Sequence, residues 1–302
     1  MHDPLSDVVR LLRPRAVFAK GISGAGRWSV RYSQFGDPSF CVVLEGRCTL
    51  AVDGEAVIAL EAGDFVLLPA TPGFTLSAQE GVLLPTLLDP RQPPSSTDDV
   101  RHGRQDGPAD VRLFGGWFQF DADAPAMLES LLPGVVHVRG VPRLSLLVGL
   151  VGEEVRNDQP GREVVLSHLV GMLLVEALRE TARGSRSSGL LRGLADARLT
   201  AALRSIHERP AHSWTIAKLA DTAALSRSAF FDRFSRTLGV APMEYVLAWR
   251  MALARDLLRH HDASVADVAE RVGYNSTSTF STAFRRHVGA SPMQYARAAR
   301  SD

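Results

Sequence analysis

The sequence predicts an α+β chain of two domains: a small β-barrel carrying a helical hairpin, then an all-α domain with two helix-turn-helix units. Three observations predict it. Residues 15–88 alternate short runs rich in Val, Leu, Phe and Thr with glycines, the pattern of many short strands. Residues 142–183 change to helical periodicity. From residue 194 onward one stretch of sequence occurs twice, and each copy reads as helix, short turn, helix.

At 302 residues the chain has room for two domains with separate cores. Hydrophobic residues make up 45% and charged residues 22%, which excludes wholesale disorder. No run of 18 apolar residues occurs, so no membrane span is expected. The N-terminus, MHDPLSDVVRLLRPRAVF, has neither the apolar stretch nor the cleavage site of a secretory leader. Two cysteines cannot build a disulfide framework, so a cytoplasmic, reducing compartment fits. The net charge of +1 conceals an asymmetry: residues 191–302 carry 16 basic and 10 acidic side chains, and the rest carry 18 and 23. A basic half beside an acidic one is the pattern of a polyanion-binding module attached to a separate domain.

Within the first half, RWSVRYSQF, FCVVLEGRCTLAV, EAVIALEAGDFVLLP and GFTLSA read as strands. Glu45-Gly46 reads as a two-residue turn joining FCVVL to RCTLAV. Asp53-Gly54 reads as a hairpin turn of type I′, which needs positive φ at both central residues. Residues 89–110 are polar and rich in Pro, Ser and Asp, and read as a long loop or flap. VRLFGGWFQFD returns to strand character. Two helices follow between Pro142 and Arg183, broken near Asn157–Gly161. The first marks one face with Leu144, Leu147, Val148, Val151 and Val155; the second is apolar on most sides, which fits core packing or a subunit contact. RGSRSSGLLRG then reads as a linker.

The duplication can be checked residue by residue. Ile216-Ala217-Lys218-Leu219-Ala220-Asp221 matches Val265-Ala266-Asp267-Val268-Ala269-Glu270 at an offset of 49. Phe230, Phe234, Gly239, Pro242, Met243 and Tyr245 match Phe280, Phe284, Gly289, Pro292, Met293 and Tyr295 at an offset of 50. One residue has therefore entered at the second turn. Thr215 and Ser226 are placed to cap the helices of the first unit, and Ser264, with Asp267 three residues on, and Ser276 those of the second. PMEYVLAWRMALARDLLRHH between them reads as one long helix holding the units at a fixed separation. Two recognition helices on one rod suit successive major grooves, about 34–36 Å apart.

The strings LADTAALSRSAFFDRFSRTLGVAPMEYV and VADVAERVGYNSTSTFSTAFRRHVGASPMQYAR make residues 195–299 resemble the DNA-binding domain of the AraC/XylS family. The resemblance implies base-reading faces at Arg227, Ser228, Phe231 and Asp232 in the first unit, and at Thr277, Ser278, Ser281 and Thr282 in the second. It places Arg285 and Arg286 at phosphates, which fix register while groove-facing side chains fix sequence. Phe231 and Asp232 depart from the polar or basic groups the family often carries there, with Arg233 beside them as a compensating charge or a core-directed one.

FCVVLEGRCTLAVDGEAVIALEAGDFVLLPATPGFTLSA resembles a cupin β-barrel, and more narrowly the cupin-like sensor found ahead of AraC-type DNA-binding domains. Metal-dependent cupins take two His and a Glu from the first motif and a His from the second. Here the first motif offers Phe40, Cys41 and Glu45, the second has Phe74, and His102 and His137 lie outside both. No metal, cofactor or catalytic residue is therefore expected. Trp28, Arg31, Phe65, Phe74 and Trp117 are candidates for an effector pocket in the barrel. With a turn at Glu45-Gly46, Cys41 would lie across from Leu50 and Cys48 from Val43, a diagonal pair near the outer limit for a disulfide.

The reading is a DNA-binding transcription regulator responding to a small-molecule or stress signal. A cupin-like sensor and dimerisation domain spans 1–183, a linker 184–193 and an AraC-type DNA-binding domain 194–302. The expected partners are double-stranded DNA, a small-molecule effector, a second copy of the chain and, for an activator, RNA polymerase. A cupin-type enzyme with an accessory DNA-binding domain, and a cysteine-based redox sensor, remain alternatives.

Overall fold

The computed structural model describes residues 3–12, 16–78, 84–89, 99–119, 134–157, 159–183, 189–260 and 263–301. The expected loop at 90–98 and the start of the expected linker at 184–188 lie outside them. The chain opens with α1 (Pro4–Leu12). Strands β1 (Ala16–Ala25), β2 (Ser29–Tyr32), β3 (Ser39–Val52), β4 (Ile58–Glu61) and β5 (Phe65–Leu68) follow. Then come β6 (Phe74–Ser77), β7 (Thr86–Leu88), β8 (Val100–Gly103), β9 (Val111–Gln119) and β10 (Val136–Val138). Helices α2 (Pro142–Arg156) and α3 (Arg162–Arg183) close this part. The chain divides into two compact units, Leu12–Ser187, and Met1–Leu11 with Ser188–Asp302.

In the first unit the strands run β7-β2-β6-β3-β9-β1-β8, with β4 and β5 also on β3 and β10 on β5. β3 organises them. Its first half pairs with β5 and β9, and its second half with β4 and β6. The handover occurs at a bulge between Val43 and Glu45. One extra residue there restores the inward phase, so Cys41 and Val43 before it and Cys48, Leu50 and Val52 after it meet one core.

This corrects the expected turn at Glu45-Gly46: β3 is a single 14-residue strand. Gly46 has φ +75° and a Cβ there would run into the Asp110 carbonyl, so glycine is required by a bend between sheets and not by a reversal. The expected cysteine geometry falls with it. Cys41 pairs with Val66 and Gly115, and Cys48 with Leu60. At Asp53-Gly54 the chain does reverse, with Glu55 N–H donating to the Val52 carbonyl at 3.0 Å. Only Gly54, at φ +80°, is left-handed, so the turn follows the type II pattern and not type I′.

Part of the expected loop is also strand. β8 pairs in parallel with Ile22–Ala25 of β1, a long-range partner that a four-residue string cannot announce. The Arg101 guanidinium then donates to the carbonyls of Arg104 and Gly107 and fixes the turn that follows.

The helical hairpin breaks where its sequence does. α2 buries Leu144, Leu147, Val148 and Val151, and α3 buries Leu166, Val170, Leu173, Leu174, Ala177 and Leu178. Both pack on β1, and Gly152 leaves room for the Phe114 ring, whose Cζ would lie 3.0 Å from an added Cβ. The outward side stays apolar at Leu146, Leu150, Val164, Val165 and Met172, all exposed.

The second unit contains α4 (Gly189–Ala195), α5 (Ala197–Glu208), α6 (Ile216–Thr222), α7 (Arg227–Leu238) and α8 (Pro242–His260). It ends with α9 (Val265–Arg271), α10 (Thr277–Val288) and α11 (Pro292–Ser301). α4 corrects the expected linker, because Leu190 and Leu191 are buried and draw the chain into a helix from Gly189. α1 also belongs to this unit: Asp7 Oδ2 lies 3.4 Å from His207 Nδ1 on α5. His207 stacks on Trp249 at 3.8 Å and shares a hydrogen bond with the Tyr245 hydroxyl at 2.8 Å.

Candidate nucleic-acid interface and ligand cavity

Each helix-turn-helix unit is started by a side chain that satisfies backbone N–H groups the helix leaves open. Thr215 accepts from Lys218 N–H and Ser226 from Ala229 N–H in the first unit. Ser264 and Asp267 form a reciprocal capping box in the second, and Ser276 accepts from Thr279 N–H. The turns match as well. Leu225 N–H donates to the Ala220 carbonyl at 3.0 Å, and Tyr274 N–H to the Ala269 carbonyl at 2.9 Å. The left-handed position is Ala224 (φ +51°) in one and Gly273 (φ +84°) in the other. The offset of 49 thus holds through Leu225 and Tyr274, and the inserted residue is Asn275.

The cores repeat in three dimensions. Phe234 meets Tyr245 edge-on with centroids 5.8 Å apart, and Phe284 meets Tyr295 in the same way at 5.6 Å. Phe230, Phe234, Phe280 and Phe284 are fully buried. α8 ties the units together. Arg250 donates to the carbonyls of Pro210 (2.8 Å) and His212 (2.9 Å), and its guanidinium lies 5.9 Å from the centre of the Tyr274 ring. One side chain therefore spans the loop before α6 and the turn before α10.

With the phenylalanines turned inward, the opposite faces of α7 and α10 are left to solvent. Arg227, Ser228, Phe231 and Asp232 are exposed on α7, with Phe231 40% exposed. Thr277, Ser278, Thr282, Arg285 and Arg286 are exposed on α10, and Ser281 is half-buried. Thr282 donates its hydroxyl proton to the Ser278 carbonyl at 3.0 Å, so on this exposed side chain the oxygen is left to act as an acceptor. Arg233 points neither to the core nor to Asp232: its Nε lies 2.6 Å from Asp196, the N-cap of α5. Burial raises the Asp196 pKa, but hydrogen bonds from Arg233 and from the N–H groups of Leu199 and Arg198 outweigh it and leave the carboxyl below its ordinary value.

A basic cluster outside the expected set gathers around the loop before α6, with Arg209 and His212 of that loop, Lys218 of α6 and Arg250 of α8. Lys218 Nζ donates to the Ser213 carbonyl at 2.8 Å and lies 3.4 Å from His212 Nε2. The His212 pKa is lowered, first by desolvation and then by Lys218, Arg209 and Arg250. These residues are spread over 42 positions, so the cluster has no short sequence signature.

Two family models match the chain, a cupin model over residues 3–183 and a helix-turn-helix domain model over residues 219–298. An AraC-like transcription regulator of Streptomyces lividans is 37% identical over 97% of this chain and 97% of its own length. One of Streptomyces antibioticus is 36% identical over 97% of this chain and 98% of its own. An HTH-type transcriptional regulator of Haemophilus influenzae is 28% identical over 89% of this chain and 90% of its own. The chain belongs to the AraC-like transcription regulators.

In this AraC-like regulator the barrel holds an open-mouthed cavity of about 250 Å³. Its wall includes Phe18, Lys20 and Ile22 of β1, Cys41 and Leu50 of β3, Phe74 and Leu76 of β6, and Gly115, Gly116 and Trp117 of β9. Of the five residues expected at a pocket, Phe74 and Trp117 line this cavity and Trp28, Arg31 and Phe65 do not. Trp28 stacks on His102 within the core. Arg31 faces outward from β2 and pairs with Asp53 at 2.5 Å. Phe65 is buried, while its neighbours Val66 and Leu68 take the inward side of β5. Lys20 was missed, although the alternation Phe18-x-Lys20-x-Ile22 carries its phase.

Among the described residues no group of three or more His, Cys, Asp or Glu converges as metal ligands would. His137 Nε2 lies 2.9 Å from Asp64, which also pairs with Arg139. Both cysteines are free thiols. Burial raises the Cys41 pKa, and burial with nearby Asp64 pushes Cys48 up to about 12. Among the described residues no helix is long and apolar enough to cross a membrane.

Proposed function

We propose that this AraC-like regulator reads double-stranded DNA with α7 and α10, and that a small-molecule effector in the barrel cavity sets its activity. The observation that carries the reading is the duplicated unit: two capped helices present exposed faces at equivalent positions on one rod. Arg227, Ser228, Phe231 and Asp232 meet base edges in one groove, and Thr277, Ser278, Ser281 and Thr282 in the next. Arg285 and Arg286 meet phosphates, a turn further along α10. With its proton committed, Thr282 accepts from base amino groups or touches a thymine methyl. Phe231 supplies an apolar contact, and Asp232 is tolerated near phosphate where it accepts from a cytosine amino group.

The sensor and dimerisation domain runs to residue 183, and the DNA-binding domain begins with α4. The exposed apolar stripe of α2 and α3 is the face a second copy covers. The protein acts in the cytoplasm and is not an enzyme; as an activator it also contacts RNA polymerase. The raised thiol pKa values argue against redox sensing, because the thiolate is the reactive form.

The test uses duplexes that the protein enriches from a random pool. Arg285→Ala weakens binding and lowers the salt slope by about one, the signature of one lost phosphate contact. Thr282→Ala weakens binding by roughly tenfold at an unchanged slope and relaxes sequence preference. Wild-type affinity in both variants would reject this placement of α10.

A further inference from the structure

The cavity's polar groups are few: Lys20, Tyr32, Ser39, Cys41, Asp89 and Trp117. Phe18, Lys20 and Ile22 share the inward phase of β1, so the lysine stands among apolar side chains. Lys20 is half-buried, and desolvation lowers its pKa with no carboxylate offsetting the cost. Among the described residues its ammonium makes no hydrogen bond or ion pair. Asp89 also reaches the wall, but it already has a partner. Trp117, on the same wall, has an indole N–H that is buried without a hydrogen-bond partner. Tyr32 adds a phenol whose pKa burial and Cys41 push up to about 12, so it remains a proton donor. A half-buried cation with no carboxylate beside it and an orphaned buried donor are each costly, and both residues line the same cavity.

We propose that the cavity binds a small organic monocarboxylate with an apolar body, its carboxylate accepting from Lys20 and from the Trp117 indole N–H. This rests on reading the cavity as the effector site. A neutral hydrocarbon would leave Lys20 and Trp117 unsatisfied. A sugar would bring hydroxyls to walls made of Phe18, Ile22, Leu50, Phe74 and Leu76, which offer them no partners. At the roughly 20–30 Å³ a heavy atom or a water occupies in a condensed phase, 250 Å³ holds on the order of ten non-hydrogen atoms. That is the size of a medium-chain fatty acid or an arylalkanoic acid.

Calorimetric titration of the intact protein tests this, with the straight-chain carboxylates from six to twelve carbons set against the 1-alkanols of the same lengths. The carboxylates should bind about tenfold or more tightly than the matching alkanols. Lys20→Met, which keeps the chain length and removes a desolvated charge, should bind both series with similar affinity, and Lys20→Arg should restore the preference for carboxylate. Trp117→Phe should lower carboxylate affinity by a few-fold and leave the alkanols unchanged. If alkanols bind as tightly as carboxylates to the wild type, or if Lys20→Met keeps the preference, the assignment of the head group is wrong while the cavity remains a ligand site. If neither series binds, the cavity reading and this inference fall together.

Discussion

Asp196 does two things for the DNA-binding unit: it caps α5 and it holds Arg233 of α7. Its carboxyl is lowered below the ordinary 3.8, so its contribution is fully present above that pH and is lost as pH falls through the folded-state value. Asp196→Asn should therefore be less stable than the wild type at neutral pH, and the gap should close as the solution is acidified below about 4. Thermal unfolding of both proteins between pH 7 and pH 3 reads this, and a gap that stays constant or widens in acid would contradict it. Caps of this kind were legible in the sequence. Thr215, Ser226, Ser264 and Ser276 act on N–H groups three residues ahead, so the information is local. Arg31 and Phe65 lie off the cavity wall because inward and outward phase depends on register with distant strands, which a bulge such as that in β3 resets.

Among the elements, α8 depends on one of its own side chains. Arg250 satisfies two carbonyls in the loop before α6 while lying against Tyr274. Arg250→Ala should cost about 1–3 kcal/mol in chemical denaturation, because half-buried acceptors lose their donor. It should also speed amide exchange in the 209–214 loop more than in α10, and unchanged protection of that loop would show that it is held by other contacts. The hairpin of α2 and α3 makes a separate prediction. Leu146→Glu combined with Val165→Glu should convert a dimer to a monomer in sedimentation, with the fold retained by circular dichroism. A wild type already monomeric at micromolar concentration would remove that stripe as a subunit contact. The helices themselves were readable, since their faces repeat every three to four residues. The continuous β3 was not, because a Glu-Gly pair serves a bend and a hairpin equally well.

For the whole molecule, the duplication was the strongest signal in the sequence, and it reappears as paired turns and paired Phe–Tyr contacts at nearly equal distances. The grouping of α1 with the DNA-binding unit had no such signal, since a nine-residue helix at the start of the chain does not reveal a partner 200 positions away. The central claim is that both units read DNA at once. Hydroxyl-radical footprinting on duplexes enriched by the intact protein tests it most directly. Two protected segments on one face of the helix, centred about 10 base pairs apart, with sequence enriched in both, are expected. A single protected segment, with sequence enriched only where α10 binds, would show that α7 does not take part in recognition.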